Sequence, residues 1–223
     1  LSATGFDDGS TKDRIEALGF VEILAGSRIT TEAGASVSLK GDVVKINGSI
    51  IAPGGAIRID GKSSYPVSSV ESLTVSSARP TVEIGSTAGL STAGTVATLA
   101  DLNGLRAGEL FPGGSIAISG NIVAAEGAVF DVRGSSAVLD FSPQRPGLPP
   151  SDPKAPFKVL LGSPVRVDSD GGRITLAGSQ MLYSDATLLG GAGGTAALGG
   201  TLAVSSGRFY FPNEQTPEGA DRP

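Results

Sequence analysis

The chain writes Gly-Gly, any residue, apolar, any residue, apolar four times: Gly54–Ile59, Gly113–Ile118, Gly171–Leu176 and Gly199–Val204. The glycines mark a turn, and the alternation after them marks a strand with one buried face. A turn-strand unit repeated along one chain constrains the fold to stacked repeats.

A finer motif, apolar-x-apolar-x-Gly, recurs at Val37–Gly41, Val44–Gly48, Ile57–Gly61, Ile116–Gly120, Phe130–Gly134 and Ile174–Gly178. Three further copies close on Ser: Leu73–Ser77, Val165–Ser169 and Leu202–Ser206. Period two sends two side chains to a core and the one between them outward. The outward positions carry Ser38, Lys45, Arg58, Ala117, Asp131 and Thr175. Gly41, Gly48 and Gly61 lie 7 and 13 residues apart, so Val37 to Ile57 is one period of 20. Three strands of ~4–5 residues with short corners need about that length. The spacing therefore predicts an all-β chain, a parallel β-helix, with Val37 over Ile57 and Leu39 over Ile59. Glycine closes the corners because positive φ costs it nothing. Gly48-Ser49-Ile50 is expected to match Gly120-Asn121-Ile122 and Gly178-Ser179-Gln180, and Gly55-Ala56 to match Gly127-Ala128. A β-sandwich is the alternative for a chain of short strands, but sandwiches lack a common period.

At 223 residues the chain can bury a sizeable core. With 33 Gly and aromatic residues at 5%, that core is narrow and built from Val, Ile, Leu and Ala. The net charge of −5 and 17 scattered Lys and Arg form no basic stripe, which argues against nucleic acid. No apolar run reaches the ~18 residues a membrane helix requires. The absence of Cys and His excludes zinc sites with those ligands, and both Ser-His-Asp and Cys-His catalysis.

Residues 1–20 are ambiguous: Asp13–Leu18 could form one helical turn, while Phe20–Ile23 already alternates. Winding is expected over 21–140, with a Ser-rich departure at 62–81. Residues 141–156 hold six prolines and are expected to form an external loop, because proline cannot donate to a central ladder. Winding returns over 157–211, with a glycine-rich turn region at 190–200, and a polar tail closes the chain at 212–223. Neither residues 1–12 nor the tail look suited to cap an exposed end. The start at Leu1 without Met and the polar tail suggest a fragment of something longer.

Val82–Gly85 with Leu90–Gly94, then Gly113–Ile118, Gly127–Gly134, Asp170–Ser179 and Gly199–Gly207, resemble the passenger repeats of filamentous-haemagglutinin-type exoproteins of two-partner secretion. The resemblance covers roughly residues 21–211. It implies a right-handed β-helix, exported by a Gram-negative bacterium through a partner outer-membrane pore, serving as an adhesin or surface fibre. The Asn-Pro-Asn motifs of that family's secretion domain are missing, which puts the chain within the passenger shaft. The implied location is secreted or on the bacterial cell surface, associated with the outer membrane. The implied partners are host or surface glycans, matrix proteins, and either neighbouring segments of a longer chain or further copies end to end. Membrane insertion is not expected.

Several motifs invite chemistry. Ala56–Ser63 fits a relaxed phosphate-loop pattern, but its variable positions are strand-like and Pro66 follows. Asp168-Ser169-Asp170-Gly171-Gly172 could seed a weak calcium loop, yet the later acidic ligand is absent. Gly190–Thr195 approaches a calcium nonapeptide with Thr195 where Asp is needed. Ser151-Asp152-Pro153-Lys154 spells a Ser-x-x-Lys pair without a helix to carry it. Arg166, Asp168, Asp170 and Arg173 form the densest charged group, the one a β-helical polysaccharide lyase or glycoside hydrolase would use. Plain turns and solvated charges account for all of these. The expectation is a non-enzymatic chain with no catalytic, cofactor-binding or metal-binding residue and no cofactor.

Overall fold

The computed structural model describes residues 1–3, 6–7, 16–17, 19–62, 80–100, 105–141 and 163–207. They are all-β, with no helix among them. Three stacks of parallel strands organise them. The first holds Phe20–Ile23, Val43–Ile46 and Val82–Ile84, followed by the second halves of Ser115–Ala124 and Arg173–Ser184. The second holds Arg28–Thr30, Ser49–Ile51, Gly89–Ser91, Val129–Asp131 and Thr187–Leu189. The third holds Ser36–Lys40, Ala56–Asp60, the first halves of the two long strands, and Thr201–Ser206. The chain visits first, second and third in that order, then begins again.

Period two becomes a core because the visits stay in register. Val37, Ile57, Ile116, Ile174 and Leu202 pair in sequence, as do Leu39, Ile59, Ile118, Leu176 and Val204. Both expected stackings, Val37 with Ile57 and Leu39 with Ile59, are in that register. The first stack contributes Val21, Val44, Val82, Ile122 and Leu182. The second contributes Ile29, Ile50, Leu90, Phe130 and Leu188. The middle members of every row are buried, so each Ile or Leu there contributes about 1.5–3 kcal/mol of transfer free energy.

The corners need correcting. Gly120-Asn121-Ile122 does not match Gly48-Ser49-Ile50. Ile122 pairs with Val82 in the first stack, whereas Ile50 pairs with Leu90 in the second. Gly55-Ala56 does not match Gly127-Ala128 either, since Ala56 pairs with Ser115 and Val129 with Gly89. Two different corners follow an apolar-x-apolar strand and close on Gly, so the motif alone cannot tell them apart. The corner that enters the first stack carries a buried polar ladder. Asn121 N donates to Thr81 Oγ1 at 2.9 Å, and Gln180 N donates to Asn121 Oδ1 at 2.9 Å.

Nor is positive φ the main reason for glycine. Of the six Gly-closed corners, only Gly120 has positive φ. Most of the others are forced by close approach. The second glycines of the Gly-Gly repeats form one column. Ser115 N donates to Gly55 O at 2.9 Å, Arg173 N to Gly114 O at 2.9 Å and Thr201 N to Gly172 O at 2.8 Å. A Cβ on Gly55, Gly114 or Gly172 would collide with the carbonyl of Ala35, Gly55 or Gly114 respectively.

Two antiparallel hairpins leave the parallel stacks, so the winding expected over 21–140 is interrupted. Thr95–Ala100 pairs with Arg106–Phe111, and Ser136–Phe141 pairs with Ser163–Asp168. Val165–Val167 is a strand as expected, but its partner is the antiparallel Ala137–Leu139. Both hairpins sit between a second-stack and a third-stack strand, on successive visits. They are joined side by side by Arg106, whose Nε and Nη2 donate to the two carboxylate oxygens of Asp140 at 3.1 and 2.9 Å. Most of the proline-rich loop 141–156 and the tail 212–223 lie outside the described residues, as do Leu73–Ser77 and Lys158–Leu161.

The start of the chain differs from expectation in two ways. Glu16–Ala17 is a strand paired antiparallel with Phe6–Asp7, not part of a helical turn. Residues 1–3 do cover an end. Ala3 N donates to Lys40 O at 2.9 Å, Lys40 N to Leu1 O at 3.0 Å, and the Leu1 ammonium to Ser38 O at 2.9 Å. These bonds take up Ser38 O, Lys40 N and Lys40 O on the outer edge of Ser36–Lys40.

Candidate functional site

Function on a scaffold of this kind depends on what the outward side chains do. Six of them form three acid-base pairs two residues apart; Arg58 with Asp60 and Arg166 with Asp168 each lie on a single strand, where period two puts both on one face, while Asp131 ends its strand and Arg133 lies just past it. Arg58 Nε lies 2.7 Å from Asp60 Oδ2, Arg133 Nη2 lies 2.7 Å from Asp131 Oδ2, and Arg166 Nε lies 2.8 Å from Asp168 Oδ1. In each pair the guanidinium is the exposed member. A second charged row crosses strands: Glu22, Lys45 and Glu83 are neighbours on the first stack, with Lys45 Nζ 3.0 Å from Glu83 Oε2. This row lines an open groove of about 350 Å³ with Asn47, Pro80 and Val123. The Arg-x-Asp and Asp-x-Arg spacings were legible, whereas Glu22, Lys45 and Glu83 meet only through register.

The densest charged group is an internal brace. The Asp168 carboxylate is buried, with its side chain 5% exposed, although Arg166 beside it is open to solvent. Its second oxygen accepts from Ala196 N at 3.4 Å, and Asp170 Oδ1 accepts from Leu198 N at 2.7 Å. Both acids thus hold the glycine-rich run 190–200 against the Asp168–Gly172 turn. A Cβ at Gly194 would collide with the Asp168 carboxylate, which explains glycine at that position. Ser169 Oγ accepts from Ser135 N at 2.9 Å and donates to Ser135 O at 3.0 Å, fixing the turn to the hairpin root. Among the described residues Arg173 reaches only Thr175 Oγ1, at 3.4 Å. The two calcium-like stretches are therefore each other's partners. Among the described residues no group of three or more His, Cys, Asp or Glu is placed to hold a metal.

The other motifs resolve locally. Ala56–Asp60 is a strand, which gives its amides to the ladder and leaves none to cradle a phosphate. Lys62 Nζ sits 3.6 Å from Asp42 Oδ1. Ser151 and Lys154 lie outside the described residues. No described helix is long and apolar enough to cross a membrane.

The pairs leave a pH signature. The Arg166 hydrogen bond holds the Asp168 carboxyl below its ordinary value of 3.8. Arg106 does the same for Asp140. Burial raises Asp60 and Asp131, but their hydrogen bonds to Arg58 and Ser119, and to Arg133, outweigh it and leave both lowered. Carboxyls lowered in the folded state release more protons there than in the unfolded chain. Their stabilisation is in place above the ordinary 3.8 and is lost as pH falls through the lowered values. Urea midpoints should stay level from pH 7 to about 5 and fall below about 4. Asp168→Asn should flatten part of that fall; a variant curve parallel to wild type down to pH 2 would remove Asp168 from the account.

No family model, no curated protein and no solved structure matches the chain.

Proposed function

We propose that the chain is a right-handed parallel β-helix serving as a structural shaft segment of a secreted bacterial surface adhesin or extracellular filament, without enzymatic activity. The observation that carries this reading is that the core rows pair layer on layer through five visits to each stack, with a register shift between the two long strands at Gly120–Ile122. Each visit adds one layer to the same core, so length grows without a new core design. Right-handedness follows the strong preference of parallel crossovers. The outward charges support a scaffold role over catalysis: the carboxylates of Asp60, Asp131, Asp140 and Asp168 are each committed to an arginine within the chain. A buried carboxylate already accepting main-chain N–H bonds is poorly placed to move a proton on a substrate.

The partners on this reading are surface glycans or matrix proteins, met on the outer faces. An array of glycans and matrix proteins tests it together with turnover assays on pectin, alginate and glucan. Binding without turnover is the expected result. Turnover abolished by Asp168→Ala or Asp170→Ala would overturn the reading in favour of a polysaccharide-cleaving enzyme.

A further inference from the structure

Period two gives the first stack an outward row of Glu22, Lys45, Glu83, Val123 and Tyr183, paired in that order across the ladder. At about 4.8 Å between strands the row is about 19 Å long. Glu22 is exposed and Tyr183 is 67% exposed, so the row is open to solvent at both ends. The open groove of about 350 Å³ follows it from Glu22 to Val123 and stops one strand short of Tyr183. Its volume lies within the range of small-molecule sites.

The groove sets mixed polar groups beside apolar surface. Lys45 Nζ is held by Glu83 at 3.0 Å, whereas Glu22 has no ion-pair partner among the described residues. Asn47 lines the groove at the corner that leaves the stack. Glycine at 85 leaves its side chain room, since a Cβ there would collide with Asn47 Oδ1. No described residue hydrogen-bonds the Asn47 carboxamide. The groove thus offers carboxylate acceptors, an ammonium donor and an amide that does both. Pro80 and Val123 add apolar surface between them.

Three ligand classes fit this row poorly. An extended peptide gains affinity from free main-chain groups at a sheet edge, and here the row lies on a sheet face whose ladders use them. A polyanion meets two carboxylates against one ammonium, and an apolar chain meets charge. A neutral sugar matches: its hydroxyls both donate and accept, and the C–H face of its ring suits apolar or aromatic surface. We infer that the row binds a neutral glycan chain laid across the layers. Glu22, Glu83 and Asn47 meet its hydroxyls, and the Tyr183 ring stacks on a sugar one strand further along. This rests on the glycan partner of the proposed function and assigns it to one face.

Isothermal titration of the whole chain with cellohexaose, chitohexaose and, as the acidic probe, oligogalacturonate tests it. A neutral probe should bind and oligogalacturonate should not. Tyr183→Ala should weaken the neutral probe about tenfold, and Tyr183→Phe should retain it. Thr30→Ala, on the outer face of the second stack, should bind as wild type. Glu22→Gln with Glu83→Gln leaves Lys45 as the only charge among the described groove residues and should admit oligogalacturonate. These side chains are exposed or partly exposed, so melting should stay near wild type. Neutral binding unchanged by Tyr183→Ala and by the double Gln variant would overturn the site and leave the proposed function standing. Absence of binding to both neutral probes, or preference for oligogalacturonate, would overturn the inference, with matrix-protein binding left to decide the proposed function.

Discussion

Gly114→Ala is expected to lower stability by about 3 kcal/mol, at the upper end of what overpacking typically costs. For a chain of this size that is a fall in melting temperature on the order of 6–12 °C. The added methyl would meet the Gly55 carbonyl, which is main chain and already accepts from Ser115 N. It cannot move aside without opening the ladder. Gly199→Ala, at the first glycine of the last Gly-Gly copy, is the comparison. A Cβ there meets only Gly190 O at an ordinary 3.5 Å, and no positive φ is required. Its melting temperature should stay close to wild type. Equal melting of Gly114→Ala and wild type would show that the column relaxes freely and that the glycines serve another purpose.

Phe130→Ala should cost about 3–5 kcal/mol, the usual range for emptying a fully buried aromatic site. Phe130 is the largest fully buried side chain among the described residues, at 0% exposure. It stands between Leu90 and Leu188 in a row whose neighbours are held by parallel ladders. Ladder spacing keeps the strands from collapsing into the void. Leu188→Ala, in the last layer and only partly buried, should cost clearly less. Urea unfolding of the two variants separates a cavity from a general loosening. A loss under about 1 kcal/mol for Phe130→Ala would mean that the core refills the space.

The stacking of Val37 on Ile57 was legible because that circuit has no insertion, so its 20-residue offset is visible in the sequence. The later layers were legible only as motifs. Their offsets, 59 from Ile57 to Ile116 and 58 from Ile116 to Ile174, share no number with the first. The hairpins escaped because period two is common to parallel and antiparallel strands. Val165 and Val167 alternate as Ile57 and Ile59 do, and only the partner differs. Gly-Gly is legible as a repeat, but its cause, a carbonyl from the preceding layer, is a contact between residues 20, 59 and 58 apart for Gly55, Gly114 and Gly172. The brace at Asp168 was flagged as charge density. Its true partners are main-chain amides of Ala196 and Leu198, which no side-chain pattern reveals.

The hairpins also bear on the statistics of chain closure. Each layer must bring its strand back to the one before it, and the entropy lost grows only with the logarithm of the intervening length. Lengthening that return from 20 residues to 59 is about one and a half doublings, an added cost of about 1 kcal/mol. Burying a single additional isoleucine in the row offsets it. The segments between the second and third stacks can therefore vary widely in length while the rows beneath them keep their register. On such a chain, diversity in the projecting parts and constancy in the core are thermodynamically almost independent.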